Sequence, residues 1–267
     1  MNSAAHSRRG AGTRRSEKRA VDGLLLLDKP VGLTSNAVLQ QVRRLFRARK
    51  AGHTGSLDPL ATGMLPLCFG HATKLSAYLL DADKTYRVTA KFGARTDTAD
   101  ADGQIVEESP INRIDRETLE AAMSGLRGEI LQVPPMYSAL KKDGRRLYEL
   151  AREGREVERE ARPVTIHAFE IETWDPEQPV LRVHCSKGTY VRTLVEDLAK
   201  AAGTLGHVAA LRRLSVDPFP PEGLVTLEEV QAAAERGAAD LDRFLRPIDE
   251  AIRDWPAVYL NDDQSYY

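Results

Sequence analysis

Thr85-Tyr86-Arg87-Val88-Thr89-Ala90-Lys91-Phe92 alternates without a break, with Tyr86, Val88, Ala90 and Phe92 on one side of the chain. Strict period-two alternation marks a strand that rests one face on a core and turns the other to water. Leu181–Cys185 repeats the pattern and leads through Gly188 into a helix. That helix sets Leu194, Val195, Leu198 and Ala199 inward and finishes at Gly203, a residue suited to the left-handed turn after a helix end.

Outward from these strands, Gly23–Asp28 is a short apolar run stopped by Lys29-Pro30 and Gly32, which fits a buried strand. Thr34 or Ser35 then caps a helix, spanning 36–50, with Val38, Val42, Leu45 and Phe46 on one face and Arg43, Arg44 and Arg47 off it. A glycine-rich loop follows, ending near Pro66. Thr96–Gly103 reads as a polar loop, and Arg116 to Leu126 as a helix closed by Gly128. Val133–Ser138 is extended, because its two prolines exclude helix, and a basic helical piece surrounds Leu147, Tyr148 and Leu150. Thr226-Leu227-Glu228-Glu229 is a capping box opening a helix that stops at Gly237. Strands and helices intersperse without a regular βαβ rhythm, which predicts an α+β fold with a mixed sheet.

The chain has 267 residues, 42% hydrophobic and 29% charged, within the range of one large domain or a main domain with a small partner. Its two cysteines, Cys68 and Cys185, supply no disulfide framework and no C-x-x-C pair, which favours a reducing compartment and hence the cytoplasm. The longest leucine run, Leu24–Leu27, is far too short to span a bilayer, and the basic N-terminus lacks the apolar segment of a signal peptide. The net charge of −1 conceals an asymmetry. Basic clusters occur at Arg8–Arg19, at Arg43–Lys50 and at Lys141–Arg146, while the stretch after Pro221 is acidic. Charge runs are ordinarily solvated surface, but three basic clusters also fit one face presented to a polyanion. Residues 1–21, nearly free of apolar groups, are expected to form a disordered basic arm.

Gly52-His53-Thr54-Gly55-Ser56-Leu57-Asp58-Pro59-Leu60-Ala61-Thr62-Gly63 concentrates the chemistry. An Asp-Pro pair in a loop is ordinarily a turn. Here three glycines let the backbone pass close to another molecule, and loops on rigid scaffolds carry function disproportionately. His53, Ser56 and Asp58 do not make a hydrolase triad, whose members come from separate parts of a fold, and no nucleophile elbow surrounds Ser56. His53 and His71 lack metal-ligand spacing, and neither a P-loop nor a dinucleotide fingerprint is present, so a reaction without cofactor or metal is expected. Arg192, at the start of a helix where cations are disfavoured, calls for a negative partner such as Asp58.

The stretches GLLLLDKPVGLTS (23–35), RKAGHTGSLDPLATGMLPLCFGHATK (49–74), DKTYRVTAKFGARTDTADADG (83–103), VPPMYSALKKDGRRLYELAREG (133–154), CSKGTYVRTLVEDLAKAAG (185–203) and HVAALRRL (207–214) resemble, in that order, the TruB family of bacterial tRNA pseudouridine synthases. The likeness covers roughly residues 22–255. It implies a pseudouridine synthase fold, α+β with a mixed, mostly antiparallel central sheet flanked by helices. It also implies isomerisation of uridine 55 in the T-loop of tRNA, by flipping the base out of its stack.

By the same resemblance Asp58 falls on the family's essential aspartate, as nucleophile or base near an oxocarbenium-like centre. Tyr86 falls on the tyrosine that stacks on the flipped base, and His53 on the histidine that fills the space vacated in the T-loop. Tyr190, Arg192 and Leu211 match further pocket positions, with Arg192 paired to Asp58 and holding it ionised. Lys29 and Pro30 match a supporting motif beneath the site. The insertion 133–154 looks like that of the stand-alone enzymes, absent from their guide-RNA-dependent relatives, and with the basic helix it is expected to grip phosphates. The implied partner is tRNA, with no membrane, no metal, no obligatory protein partner and a monomeric enzyme. Residues 256–267 resemble only the first strand of the C-terminal PUA module of the family, which the resemblance therefore implies to be missing or truncated. A tRNA-binding chaperone and a guide-RNA-dependent modifier of ribosomal RNA are the rival functions.

Overall fold

The computed structural model describes residues 18–111 and 114–260. Most of the expected N-terminal arm, up to residue 17, and the stretch 261–267 lie outside the described residues. In chain order the elements are β1 (Gly23–Lys29), α1 (Ser35–Leu45), β2 (Ala51–His53), β3 (Thr62–Phe69), α2 (Ser76–Asp81), β4 (Lys84–Phe92), β5 (Ala94–Thr96), β6 (Ile105–Glu108), α3 (Arg116–Ser124) and β7 (Gly128–Gln132). They continue with β8 (Lys141–Lys142), β9 (Arg145–Arg146), α4 (Leu147–Arg152), β10 (Arg162–Thr173), β11 (Val180–Cys185), α5 (Val191–Ala201), β12 (Gly206–Val216), β13 (Val225–Thr226), α6 (Leu227–Arg236) and α7 (Ala238–Asp242).

A nine-stranded sheet runs in the order β13-β1-β3-β12-β4-β11-β10-β7, with β2 added beside β3. Only β1 with β13 and β3 with β12 pair in parallel; the other ladders are antiparallel. The α+β fold with a mixed, mostly antiparallel sheet is therefore the one expected. Among the described residues no helix is long and apolar enough to cross a membrane.

Burial explains why the strands read differently. In β4, residues Tyr86, Val88, Ala90 and Phe92 are buried under α3 and α5, in a core shared with β10, β11 and β12. The four leucines of β1 do not alternate because both faces are covered. Leu25 and Leu27 pack with α1 and α6, while Leu24 and Leu26 pack with Met64, Cys68 and Phe219 on the reverse. Burying each leucine in full contributes roughly 2 kcal/mol.

Four expectations are corrected. Helix 36–50 ends at Leu45: Phe46 and Ala48 are buried, and Arg47 takes a left-handed φ of 52° that turns the chain back into β2. The glycine loop does not reach Pro66, because Thr62–Phe69 is a central strand whose residues from Gly63 onward are buried. The proline is tolerated there because it falls between the β12 and β2 pairings of this strand, and its carbonyl still accepts from Thr54 N at 3.2 Å. Helix α3 closes at Gly125, not Gly128, which instead opens β7 with φ of 82°. The last residues of the expected arm are anchored: Arg19 bridges Ala48 and pairs with Asp242, and Val21 is buried.

Gly63 sits where β3 crosses β12, with φ of 97°. A Cβ there would lie 2.2 Å from the Arg213 carbonyl oxygen. Gly63→Ala is expected to lower unfolding free energy by roughly 2 kcal/mol or more, measured by urea denaturation.

Candidate active site

The loop between β2 and β3 is held from four sides. At the start of α1, Thr34 accepts from Ala37 N and sets the cap, which places the buried Ser35 against the loop. Ser35 Oγ accepts from Leu57 N at 2.8 Å and donates to Leu57 O at 3.1 Å. Gly32 N donates to Pro59 O at 2.8 Å. The ammonium of Lys29, with no exposed surface, donates to Ala61 O at 2.7 Å and to Pro30 O at 2.9 Å. The equally buried Arg213 guanidinium donates to Met64 O at 2.7 Å and Gly55 O at 3.2 Å. Asp58 sits in the tight turn these bonds fix, its carbonyl accepting from Ala61 N at 3.1 Å.

The Asp58 carboxylate meets Arg192 Nε at 3.1 Å, the ion pair expected from the unfavourable place of Arg192 in the first turn of α5. The guanidinium makes three further contacts. It donates to Thr98 O at 2.7 Å and to Tyr137 O at 2.6 Å, and its Nη1 lies 3.3 Å from the Asp100 carboxylate. Asp100 is itself buried and fixed by Thr98 Oγ1 at 2.6 Å and by Asp102 N at 3.1 Å. Two carboxylates thus flank one buried cation, one facing inward and one outward. Asp58 keeps 44% of its side chain accessible and Asp100 only 5%. Burial raises the Asp58 pKa above its ordinary value; Arg192 opposes the rise and Asp100 reinforces it.

Asp58 opens into a cavity of about 320 Å³ whose wall includes Tyr86, Tyr190, Arg192 and Leu211. Tyr86 comes from β4, Leu211 from β12, and Tyr190 from the cap of α5. The backbone of Tyr190 is clamped by the buried Gln132 side chain, which accepts from its N–H at 2.7 Å and donates to its carbonyl at 3.1 Å. Burial raises the pKa of both phenols, so both stay neutral hydrogen-bonding rings at physiological pH. Five of the expected site residues thus meet in one concavity.

The others stand apart. His53 lies at the end of β2, outside that wall, with a buried Nδ1 that has no hydrogen-bond partner among the described residues and a pKa lowered by burial. Lys29 and Pro30 lie under the loop. Ser56 lines the cavity but is exposed.

Residues not singled out from the sequence complete the site. Asp100 sat unrecognised in a polar loop, and Arg213 in the stretch HVAALRRL. Lys84 also lines the cavity, where burial lowers its pKa to about 8. The only local signal for Asp100 is its crowding with Thr96, Thr98, Asp97 and Asp102 in a segment too short to be mere spacer. The assembled chemistry is one accessible carboxylate beside a fixed cation, with neutral aromatic rings and an aliphatic wall. That set suits nucleophilic attack or proton removal by the carboxylate on a flat polar substrate.

The basic clusters are partly committed to structure. Arg43 donates to Ala48 O and Arg49 O at the end of α1, and Arg145 pairs with Glu153. Lys141, Lys142, Arg145 and Arg146 remain exposed on the β8–β9 hairpin.

Residues 43–191 match the N-terminal domain of TruB family pseudouridylate synthases, and residues 192–253 match the C-terminal domain of tRNA pseudouridylate synthase B. A tRNA pseudouridine synthase B of Ectopseudomonas mendocina is 57% identical over 251 residues, 94% of this chain and 82% of that protein. The Sodalis glossinidius protein of the same name is 55% identical, covering 92% of this chain and 80% of that protein. Among solved structures, a chain of the archaeal box H/ACA Nop10–Cbf5 complex superposes with a TM-score of 0.65 at 26% identity, over 87% of this chain and 62% of that one. A chain of a Cbf5–Nop10–Gar1 complex gives 0.68 at 26% identity, over 86% and 61%.

Burial lowers the Lys29 pKa to about 8 from 10.5. Between those values the unfolded chain binds more protons at this residue, so its contribution to stability rises with pH. Lys29→Met, which leaves the loop carbonyls without their donor, is expected to lose about 2 kcal/mol at neutral pH. The deficit should widen above pH 8, as followed by urea denaturation at a series of pH values.

Proposed function

The chain belongs to the TruB family of pseudouridylate synthases, and we propose that it isomerises uridine to pseudouridine at position 55 in the T-loop of tRNA, with Asp58 as the catalytic carboxylate. The observation that carries this reading is the convergence of Asp58, Arg192, Tyr86, Tyr190 and Leu211 on one cavity. The target base is stacked inside a folded loop, so it must first leave the stack, at a cost of a few kcal/mol. Tyr86 then stacks on the flipped ring, Tyr190 and Leu211 close its sides, and His53, outside the cavity wall, takes the space the base left in the RNA.

The reaction balances without a redox partner or a donated group. The bond from ribose carbon 1′ to uracil nitrogen 1 breaks, the ring turns, and carbon 1′ bonds to carbon 5. Carbon 5 gives up its proton and nitrogen 1 gains one. Asp58 serves as nucleophile or base, and Arg192 holds it ionised against the burial that would protonate it. Lys29, Pro30, Asp100 and Arg213 act as positioning residues, fixing the loop and the guanidinium. Insertion 133–154 reaches the site through Tyr137 O and carries the exposed basic hairpin, which supports a role in gripping RNA phosphates. The enzyme is read as a cytoplasmic monomer that needs no protein partner.

A tRNA chaperone would need the basic surface but not the carboxylate, and a guide-dependent modifier would need a second RNA. Asp58→Asn is expected to keep T-stem-loop binding within several-fold while abolishing tritium release from [5-³H]uridine RNA. Normal turnover in that variant would remove Asp58 from the mechanism, and activity of the unmodified chain on a bare T-stem-loop would exclude the guide-dependent rival. The raised pKa places the acid limb of kcat/KM above the ordinary aspartate value of 3.8, so a profile flat down to that pH counts against Asp58 as the ionised group. Binding should weaken steeply as salt rises, log K falling linearly with log salt concentration, which filter binding across a salt series would measure.

A further inference from the structure

Beside the interior strands of the central sheet, four side chains with metal-binding chemistry meet from four separate places in the chain. Asp83 directly precedes β4, Asp217 directly follows β12, His184 is on β11 and His167 on β10. β12, β4, β11 and β10 are consecutive neighbours in the sheet, and their register sets the ends of β12, β4 and β11 beside the middle of β10. The two acidic residues are tied by their backbones, Asp217 N donating to Asp83 O at 3.0 Å. His184 alternates with the buried Val183 and Cys185, which sets it on the opposite face from the core.

His167 is there because the ladder is irregular. Ile166 pairs with Cys185 and Ala168 with His184, so His167 is the extra residue of a β-bulge. A bulge re-aims its side chain and bends the strand. The result brings the two imidazoles together, with ring centroids 4.9 Å apart. His167 Nε2 lies 2.9 Å from Asp83 Oδ2, and His184 Nε2 lies 3.8 Å from Asp217 Oδ2.

We propose that Asp83, His167, His184 and Asp217 form a binding site for a divalent cation of the zinc class, outside the cavity that Asp58 faces. One ligand atom from each of Asp83, His184 and Asp217 lies within 4.8 Å of the others. A point within about 2.8 Å of all three therefore exists, and side-chain adjustments of about 0.7 Å reach ordinary zinc–ligand distances. Two neutral imidazoles and two carboxylates suit zinc, cobalt or nickel better than magnesium, and the two negative charges balance a dication. All four side chains are between 35% and 53% accessible, so an ion can enter from solvent.

Separate surface His–Asp ion pairs contribute little to stability, whereas one ion would clamp the ends of three strands to the middle of a fourth. Those ends run directly into the cavity wall: Lys84 follows Asp83, Ser186 stands just beyond His184, and Arg213 lies on β12 before Asp217. The ion's role is to fix that wall, not to take part in isomerisation.

The test uses the full chain, stripped with a chelator and titrated with zinc chloride by calorimetry and with cobalt chloride by visible absorption. One saturable equivalent is expected, with d–d bands in the visible and a melting temperature raised by several degrees once the metal is in roughly hundredfold excess over Kd. His167→Gln and His184→Gln should each weaken binding by roughly tenfold or more without altering the metal-free melting temperature, while His71→Gln, in a separate pair with Asp22, leaves it unchanged. Proton NMR of the unaltered chain removes dependence on the variants: the ring protons of His167 and His184, not those of His71, should move on zinc addition. Absence of saturable uptake, uptake undiminished in the His167→Gln, His184→Gln double variant, or magnesium binding as tight as zinc would each overturn the proposal.

Discussion

One buried guanidinium organises the candidate active site. Arg192 keeps only 6% of its side chain accessible, and a cation taken that far out of water is costly unless every side of it is met. Two carboxylates and two backbone carbonyls meet it, from three segments: Asp58 from the glycine loop, Asp100 and Thr98 from the β5–β6 connection, Tyr137 from the insertion. Because each contact is needed to offset the same desolvation, the three segments are held against α5 in one arrangement. The carboxylate that faces the cavity is thereby set within reach of whatever enters it.

Beneath the loop a second pair of buried cations works differently. Lys29 and Arg213 bind carbonyls, not carboxylates. They fix the path of the backbone while leaving Asp58 as the accessible acid of the loop. Positive charge behind a loop whose only carboxylate faces outward keeps that carboxylate near ionisation in spite of burial, the balance between Arg192 and desolvation already seen in its pKa. The architecture thus separates positioning from exposure: buried cations hold the loop, and one half-exposed acid is left facing the cavity.

Much of this was legible in the chain. The alternation of Thr85–Phe92, the cap at Thr34, the capping box at Thr226 and the inward stripe of α5 are local patterns, and local patterns survive into the fold. β10 and β12 were not read as strands, and their ladders show why. Each is interrupted twice by a register shift, at Ile166/Ala168 and Ile171/Thr173 in one and at Val208/Ala210 and Arg213/Ser215 in the other. A bulge breaks period-two alternation, and with it the signal on which strand assignment rests. β3 was mistaken for the tail of a loop because Pro66 and Gly63 ordinarily punctuate strands; here the strand is buried and its proline lies between ladders that do not need its missing N–H.

By itself the sequence determined the alternating strands, the capped helices, the family and the aspartate at the centre of the glycine loop, because each is written in residues close together in the chain. The tertiary structure alone decided what surrounds them. Asp100 beside Arg192, Arg213 beneath Gly55 and the four residues Asp83, His167, His184 and Asp217 come from positions far apart in sequence, and no spacing rule links them. They meet because sheet order, register and the bulge at His167 bring them together, and those follow from the packing of the whole core.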